Sequence, residues 1–236
     1  MISRAFILPT FKESMTIGAL LEYLVPELRN GEVIVVVDDS PDQEKSNLKL
    51  VLEKFTNVEL LEGEVKGGRG YAVWRGMRHV LQNHPGVTHI IEADCDGSHQ
   101  FEDIKRVSMA DSNKEFVVGS RYLPESRILG WSISRRILSR FLNILIPFIL
   151  RLEIRDITNG LRRYSRRGAV FLVNEQPKTK GFIYLSEQAK LLKTHGIIAD
   201  EVPIVFASRI AGQSSVDAKD LALSLRGLIQ ILMLRR

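Results

Sequence analysis

The sequence is poor in cysteine, because Cys95 is the only one among 236 residues. A single thiol cannot form an internal disulfide, which excludes a fold that depends on an oxidising compartment and favours a cytosolic setting. The N-terminus has no basic segment followed by a long apolar core and a small-residue cleavage site, so we expect no signal peptide. These absences predict a cytoplasmic protein.

Long hydrophobic runs are also missing, since none approaches the roughly 20 residues that a membrane-spanning helix needs. The longest candidate, Phe141 to Leu150, is interrupted by Asn143 and Pro147. No internal repeat or low-complexity segment is found. With 44% hydrophobic and 26% charged residues, the chain is predicted to form a single domain over 1–236.

The charge balance is basic, with a formal net charge of +5. Such a balance favours an anionic partner such as a nucleic acid, a membrane surface or a phosphorylated ligand. No aromatic-rich nucleic-acid recognition motif is found. We therefore expect no nucleic-acid partner.

The first half alternates between short apolar runs and amphipathic segments. Strands are predicted at Ala5–Leu8, Val33–Val37, Val58–Leu61, His89–Ala93 and Phe116–Gly119. Helical segments lie between them: an apolar stripe from Ile17 to Leu28, then Tyr71–Leu81 and Glu102–Ala110. This alternation predicts an α/β fold with an open, mostly parallel sheet flanked by helices. Its ligands should bind beyond the carboxyl ends of the strands.

Two amphipathic helices are predicted in the second half, at 133–152 and 218–236. The first presents Phe141, Leu145, Phe148 and Ile149 beside Arg135, Arg136, Arg140 and Arg151. This combination suits the surface of an anionic membrane. The alternative is a core helix with solvated ends, because buried helices share this composition.

The segment IIEADCDGSH, from Ile90 to His99, concentrates acids at the predicted end of a strand. If the backbone is extended there, Asp94 and Asp96 project to one side and Cys95 to the other. Two carboxylates on one side suit Mg²⁺ or Mn²⁺ held jointly with phosphates. The alternative is that these acids build a turn and cap the next helix.

The strand-end segments occur in the order PTFKE, VVVDDSPD, KGGRGYA, EADCDGSH and GSRY. In this order the sequence resembles family 2 glycosyltransferases, and within them the dolichyl-phosphate mannose synthase branch. The resemblance continues through WSISRRILSRFLN, DITNGLRRY, KGFIYLSE and EVPIVFASRIAGQSS, and so covers nearly the whole chain. It implies a Rossmann-like, GT-A type fold with a nucleotide-sugar-binding half at 1–125 and an acceptor-binding half at 126–236.

The resemblance also implies roles for individual residues. Asp94 and Asp96 match metal ligands and, with Arg121 and Arg209, catalytic positions. Arg121, Arg135 and Ser139 match positions near the acceptor phosphate. Donor-binding positions are matched by Pro9, Phe11, Glu13, Val37, Asp39, Lys66 and Cys95.

The implied activity is metal-dependent, inverting transfer of a sugar, with mannose from GDP-mannose favoured, to dolichyl or polyprenyl phosphate at the cytosolic face of a membrane, the endoplasmic reticulum in a eukaryote. Relatives without membrane spans can depend on small membrane-embedded partner subunits. Two departures concern the donor: DDSPDQE is one residue shorter around Ser40 than the family pattern, and Ser215 replaces a lysine. A UDP-sugar donor, a soluble glycan acceptor and a catalytically silent binding subunit are the alternatives.

Overall fold

A computed structural model describes residues 3–63, 67–179, 181–208 and 226–232. The strands are β1 (Arg4–Thr10), β2 (Val33–Asp38), β3 (Val58–Glu62), β4 (His89–Glu92), β5 (Phe116–Ser120), β6 (Arg127–Ile128), β7 (Arg162–Ser165), β8 (Ala199–Pro203) and β9 (Val205–Phe206). The helices are α1 (Ser14–Leu24), α2 (Asp42–Leu52), α3 (Arg69–Asn83), α4 (Phe101–Ser108), α5 (Ile133–Leu150), α6 (Arg166–Asn174) and α7 (Tyr184–Thr194). Residues 226–232 are also helical.

The central sheet has seven strands in the order β3-β2-β1-β4-β7-β5-β8. All neighbouring pairs are parallel except the two that involve β7. The strands β1, β2, β4 and β5 are buried along their whole length, as expected for parallel strands covered on both faces. The predicted α/β class and mostly parallel sheet are confirmed.

Strand β7 was not predicted, although it lies inside the sheet between β4 and β5. Its sequence begins with Arg162 and Arg163, which hydropathy assigns to the surface, yet both are fully buried. Arg162 donates to the carbonyl oxygens of Asn159, Leu185 and Ile157. Arg163 likewise donates to main-chain carbonyls of the loop after α4. Because these guanidinium groups find internal acceptors, a charged strand can occupy the core.

Helices pack on both faces of the sheet. One face carries α3, α5, α6 and α7, and the other carries α1, α2 and α4. Helix α3 approaches β1 and β2 closely at Gly76, where an added Cβ would lie 2.7 Å from Cγ2 of Ile7. Close seating of α3 places its N-terminus, at Arg69, beside the carboxyl ends of the strands.

Helix α5 begins at Ile133, as predicted, but ends at Leu150 rather than 152. Arg151 adopts the left-handed conformation, with φ of 55°, and its N–H caps the last turn. The predicted outward face is also partly wrong, because Leu145 and Ile149 are half-buried. Phe141 and Phe148 are exposed, as predicted, and so are Ile133, Ile137, Leu138 and Ile144. In the described part of the chain, no helix is long and apolar enough to cross a membrane.

The predicted helix at 218–236 lies mostly outside the described residues. Within 226–232, Leu228 and Ile231 are buried in the same core cluster as α3 and α6. This short stretch therefore packs on the protein through these two side chains, while Leu232 is exposed.

Candidate active site

The first two strand-end loops are joined through Ser40. Pro9 and Val37 are register partners on β1 and β2. Beyond them, the hydroxyl of Ser40 donates to Asp38 at 2.6 Å and accepts from the backbone N–H of Lys12 at 2.7 Å. The shortened segment around Ser40 thus forms a defined connection that holds the loop of Phe11 and Glu13 beside the loop of Asp39.

Asp39 connects these loops to helix α3. Its carboxylate pairs with Arg75 at 2.7 Å and accepts from the backbone N–H of Gly67 at 3.2 Å. Two predicted donor residues, Val37 and Cys95, have side chains buried in the core. Any contact of these two residues with a ligand must therefore use their backbone. Lys66, another predicted donor residue, lies outside the described residues.

The acidic motif is a turn rather than the end of an extended strand. Strand β4 ends at Glu92 and the backbone bends over 95–97, with φ of 77° at Gly97. Oδ1 of Asp96 accepts from the N–H of Ser98 at 2.9 Å, which stabilises this turn. The predicted strand to Ala93 is thus one residue too long, and strand alternation does not determine the direction of Asp96. The side chain of Cys95 is buried in the core.

Behind the turn lies a buried charge network centred on Glu92, which is completely buried. Glu92 pairs with Arg69 at 3.0 Å and accepts from the hydroxyl groups of Tyr164, at 3.1 Å, and Tyr184. Arg69 also donates through Nε to the hydroxyl of Tyr184 at 2.8 Å. Burial, together with the charge of Glu92, raises the pKa of both tyrosines well above the usual value. Both tyrosines are therefore neutral hydrogen-bond donors.

Arg69 extends from this network to the acidic motif, where it forms an ion pair with Oδ1 of Asp94. Its own pKa is raised, because the neighbouring Tyr184 and Glu92 outweigh the effect of burial. Glu92 therefore orients Arg69, and Arg69 in turn orients Asp94. The sequence offered only a weak signal for this role, namely a basic residue in a glycine-rich loop before a helix.

His99 supports the motif from the other side. Its Nδ1 accepts from the backbone N–H of Asp94 at 3.2 Å, and its Nε2 faces Oδ1 of Asn159 at 2.9 Å. These partners place the proton on Nε2. Burial lowers the pKa of His99 to about 4, and the charges of Arg69 and Arg121 add to this effect, while Asn159 and Asp96 oppose it. The imidazole is therefore neutral at pH 7.

Arg121, at the end of β5, is buried rather than a surface charge. Its guanidinium donates to both oxygens of Asp156, at 2.8 and 2.7 Å, and lies over the rings of Trp131 and Phe206. Burial by itself lowers the pKa of Arg121, but the Asp156 carboxylate reverses this and raises it. The arginine keeps its charge, and that charge is balanced internally.

The three predicted acceptor-phosphate residues are brought together at the start of α5. Arg121 and Arg135 both lie over Trp131, with Arg135 4.0 Å from the ring centroid. Ser139 accepts a hydrogen bond of 2.6 Å from the hydroxyl of Tyr122, which neighbours Arg121. Arg140 lies over the same tyrosine ring. A basic and aromatic patch therefore adjoins the end of β5. Arg209, the remaining predicted catalytic residue, lies outside the described residues.

The fold and the position of this site define a GT-A type glycosyltransferase. A family model described as glycosyl transferase family 2 matches residues 5–170. The chain therefore belongs to glycosyl transferase family 2, and the resemblance seen in its motifs is confirmed.

Two curated relatives match over most of their length. An undecaprenyl-phosphate mannosyltransferase of Micrococcus luteus is 29% identical, over 89% of this chain and 86% of its own. A polyprenol monophosphomannose synthase of Mycolicibacterium smegmatis is 28% identical, over 91% of this chain and 81% of its own. Among solved structures, a glucosyl-3-phosphoglycerate synthase of Mycobacterium tuberculosis with UDP superposes with a TM-score of 0.67, at 13% identity, over 100% of this chain and 82% of that chain. The same enzyme with Mn²⁺ and UDP-glucose gives 0.65, at 16% identity, over 98% and 78%. At these identities, the structural matches establish the fold alone.

Proposed function

We propose that this glycosyltransferase transfers mannose from GDP-mannose to a polyprenyl phosphate at the cytosolic face of a membrane, with inversion at the anomeric carbon. The observation that supports it best is the meeting of an acidic turn, at Asp94 and Asp96, with Arg69 and His99 at the carboxyl edge of the sheet. The activities for which the two curated relatives are named favour this acceptor and this sugar.

The oxygen ligands that the acidic turn offers suit a divalent metal ion. Asp94 and Asp96 offer hard oxygen atoms, which Mg²⁺ and Mn²⁺ prefer. Oδ1 of Asp94 is paired with Arg69, and Oδ1 of Asp96 accepts from the turn. These two carboxylates are the groups that would hold the metal. When bound, a divalent ion neutralises charge that develops on a departing diphosphate.

The residues of this chain prepare the donor site. Arg69 fixes the rotamer of Asp94 and brings a cation to the place where the diphosphate would lie. His99 holds the backbone of Asp94 while adding no charge. Phe11, Glu13 and Asp39, on loops joined through Ser40, are proposed to contact the nucleoside. Such preorganised charges are worth more in a site from which water is excluded than in bulk water.

The acceptor needs little activation, because a phosphate monoester has its second pKa near about 6 and is largely ionised at pH 7. Its oxygen can attack without a general base, so one displacement gives inversion. The proposed binding site for this phosphate is the patch formed by Arg121, Arg135, Ser139 and their aromatic neighbours. Arg121 is buried and its charge is balanced by Asp156, whereas Arg135 is only half-buried.

Helix α5 is proposed to rest on the membrane beside this patch. Ile133, Ile137, Phe141, Ile144 and Phe148 recur at intervals of three or four residues, so they form one exposed apolar stripe. Arg136 and Arg140 are exposed on the same helix. Exposed apolar side chains with flanking arginines suit the interface of an anionic bilayer.

The test is transfer of labelled sugar by the purified chain to a polyprenyl phosphate in detergent, with Mg²⁺ or Mn²⁺. GDP-mannose should give label in the organic phase, and addition of a chelator should abolish it. Organic-phase label from UDP-glucose but not from GDP-mannose would show that the donor is a UDP-sugar. Label only in water-soluble product would reject the lipid acceptor. Transfer by the chain alone would also show that no partner subunit is required.

A further inference from the structure

A second cluster of potential metal ligands lies away from the candidate active site. It is formed by Glu59 on β3, His79 on α3 and His84, the residue that follows α3. One potential ligand atom from each residue lies within 4.8 Å of the other two. Among the described residues this is the one group of three or more histidine, cysteine or acidic side chains that converges in this way.

The three side chains point at one another. Nε2 of His79 lies 2.5 Å from Oε2 of Glu59, and Nε2 of His84 lies 3.0 Å from Oε1. Apart from this contact with Glu59, the buried His84 nitrogen has no hydrogen-bond partner among the described residues. Such a nitrogen is a buried polar atom that coordination to a metal ion would satisfy.

The length of helix α3 separates this cluster from the candidate active site. Arg69 begins this helix at the carboxyl edge of the sheet, and His79 lies ten residues further along. At about 1.5 Å per residue, this places the cluster roughly 15 Å away along the helix axis. Glu59 is paired with Val35 on β2, near the opposite end of the strands.

We propose that Glu59, His79 and His84 form a binding site for a transition-metal ion, with Zn²⁺ as the preferred occupant. Two imidazole nitrogens and one carboxylate oxygen form a ligand set that Zn²⁺ uses, with ligand distances of about 2.0–2.2 Å and a water in the fourth position. Imidazole ligands favour Zn²⁺ over Mg²⁺ or Mn²⁺. The site would therefore differ in metal preference from the acidic turn.

Asn83 is the outer partner of this site. Its side-chain nitrogen lies 3.1 Å from Nδ1 of His79, which leaves the ring proton on Nε2 in the metal-free protein. Binding of the metal to Nε2 moves this single ring proton to Nδ1, with no net release of a proton. Rotation of the Asn83 amide then offers its oxygen as the acceptor that metal-bound histidines ordinarily have. The metal joins the edge strand β3 to the end of α3.

The test is a Zn²⁺ titration of the full chain, followed by the ring resonances of its histidines. His79 and His84 should shift together at one equivalent, while His195, which is exposed and outside the cluster, should not. A zinc response at His99 without one at His79 and His84 would overturn the proposal. This measurement uses the unaltered protein and does not depend on variants folding.

A second test measures the zinc affinity and the thermal midpoint of variants. Zn²⁺ at about 100 times its Kd should raise the thermal midpoint by roughly 5–10 °C. His79→Gln with His84→Gln should lose affinity by more than the roughly 10- to 100-fold that loss of an outer partner costs. His195→Gln is the matched control and should retain affinity, as should Asp96→Asn. Undiminished binding by the double variant would overturn the proposal.

Discussion

The residue that organises the candidate active site is Arg69, through its contacts with a fully buried glutamate and an aspartate of the acidic turn. A buried ion pair contributes little net stability, but removal of one partner leaves an uncompensated charge and costs about 3–5 kcal/mol. Stability and positioning can therefore be separated by removing either one or both charges.

We predict that Arg69→Met lowers the free energy of unfolding by about 3–5 kcal/mol, because Glu92 is left buried and unpaired. Arg69→Met combined with Glu92→Gln should recover part of that loss, since no buried charge remains. Turnover should stay low in the double variant, because Asp94 is no longer oriented. Denaturant unfolding and the transfer assay measure the two effects.

The matched control is the buried pair Arg4–Glu32, 2.7 Å apart near the amino ends of the strands. Arg4→Met with Glu32→Gln should change stability to a similar degree and leave turnover close to that of the wild type. If the two double variants lose equal activity, Arg69 has only a structural role.

His89 provides a pH-dependent contribution to stability. Burial lowers the pKa of His89 to about 4, and the charge of Arg163 adds to this effect. An unfolded histidine titrates near about 6.5, so between these values the unfolded chain binds more protons. The contribution of His89 to the free energy of unfolding is therefore fully present above about pH 6.5. It falls by up to about 3 kcal/mol as the pH decreases towards 4. Unfolding at pH 7.5 and 5.0 should show a smaller difference in His89→Gln than in the wild type; an unchanged difference would contradict this.

At the scale of elements, the sequence predicts strands well where they are apolar and poorly where they are not. The runs at β1, β2, β4 and β5 were recognised because both faces of these strands are buried. β7 was missed because the buried guanidinium groups of Arg162 and Arg163 donate to main-chain carbonyl oxygens. No local sequence pattern reveals these acceptors. The end of α5 was misplaced by two residues, since a left-handed arginine at position 151, rather than a glycine, ends it.

Helix α5 gives the prediction at this scale. Phe148→Asp removes an apolar side chain that is 81% exposed, so the thermal midpoint should hardly change. Binding to vesicles that contain anionic lipids should weaken by about tenfold or more, because burial of a phenylalanine contributes about 1.5–3 kcal/mol. Co-sedimentation measures it.

Leu50→Asp is the control for α5, since Leu50 is also exposed and also lies on a helix, α2. It introduces the same charge and should leave vesicle binding unchanged. Equal weakening in both variants would indicate a general charge effect and contradict the role of α5.

At the scale of the whole molecule, the sequence predicted which loops meet but not how they are held together. Asp94 and Asp96 were identified by their place after a strand, and Arg121, Arg135 and Ser139 by resemblance. The long-range partners Glu92, Asn159 and Asp156 could not be assigned, because they are positioned by strand order and by β7. Arg69 acquires its role only when Tyr184, 115 residues away in sequence, folds against it.

The central claim is that the carboxylates of the acidic turn are needed for sugar transfer. Its most direct test is the rate of label transfer from nucleotide-mannose to polyprenyl phosphate by Asp96→Asn, compared with Asp42→Asn, whose side chain is fully exposed. Asparagine retains an oxygen for the N–H of Ser98, so the turn should persist. We predict a loss of at least about 100-fold for Asp96→Asn and none for Asp42→Asn. A folded Asp96→Asn protein with wild-type turnover would contradict the account.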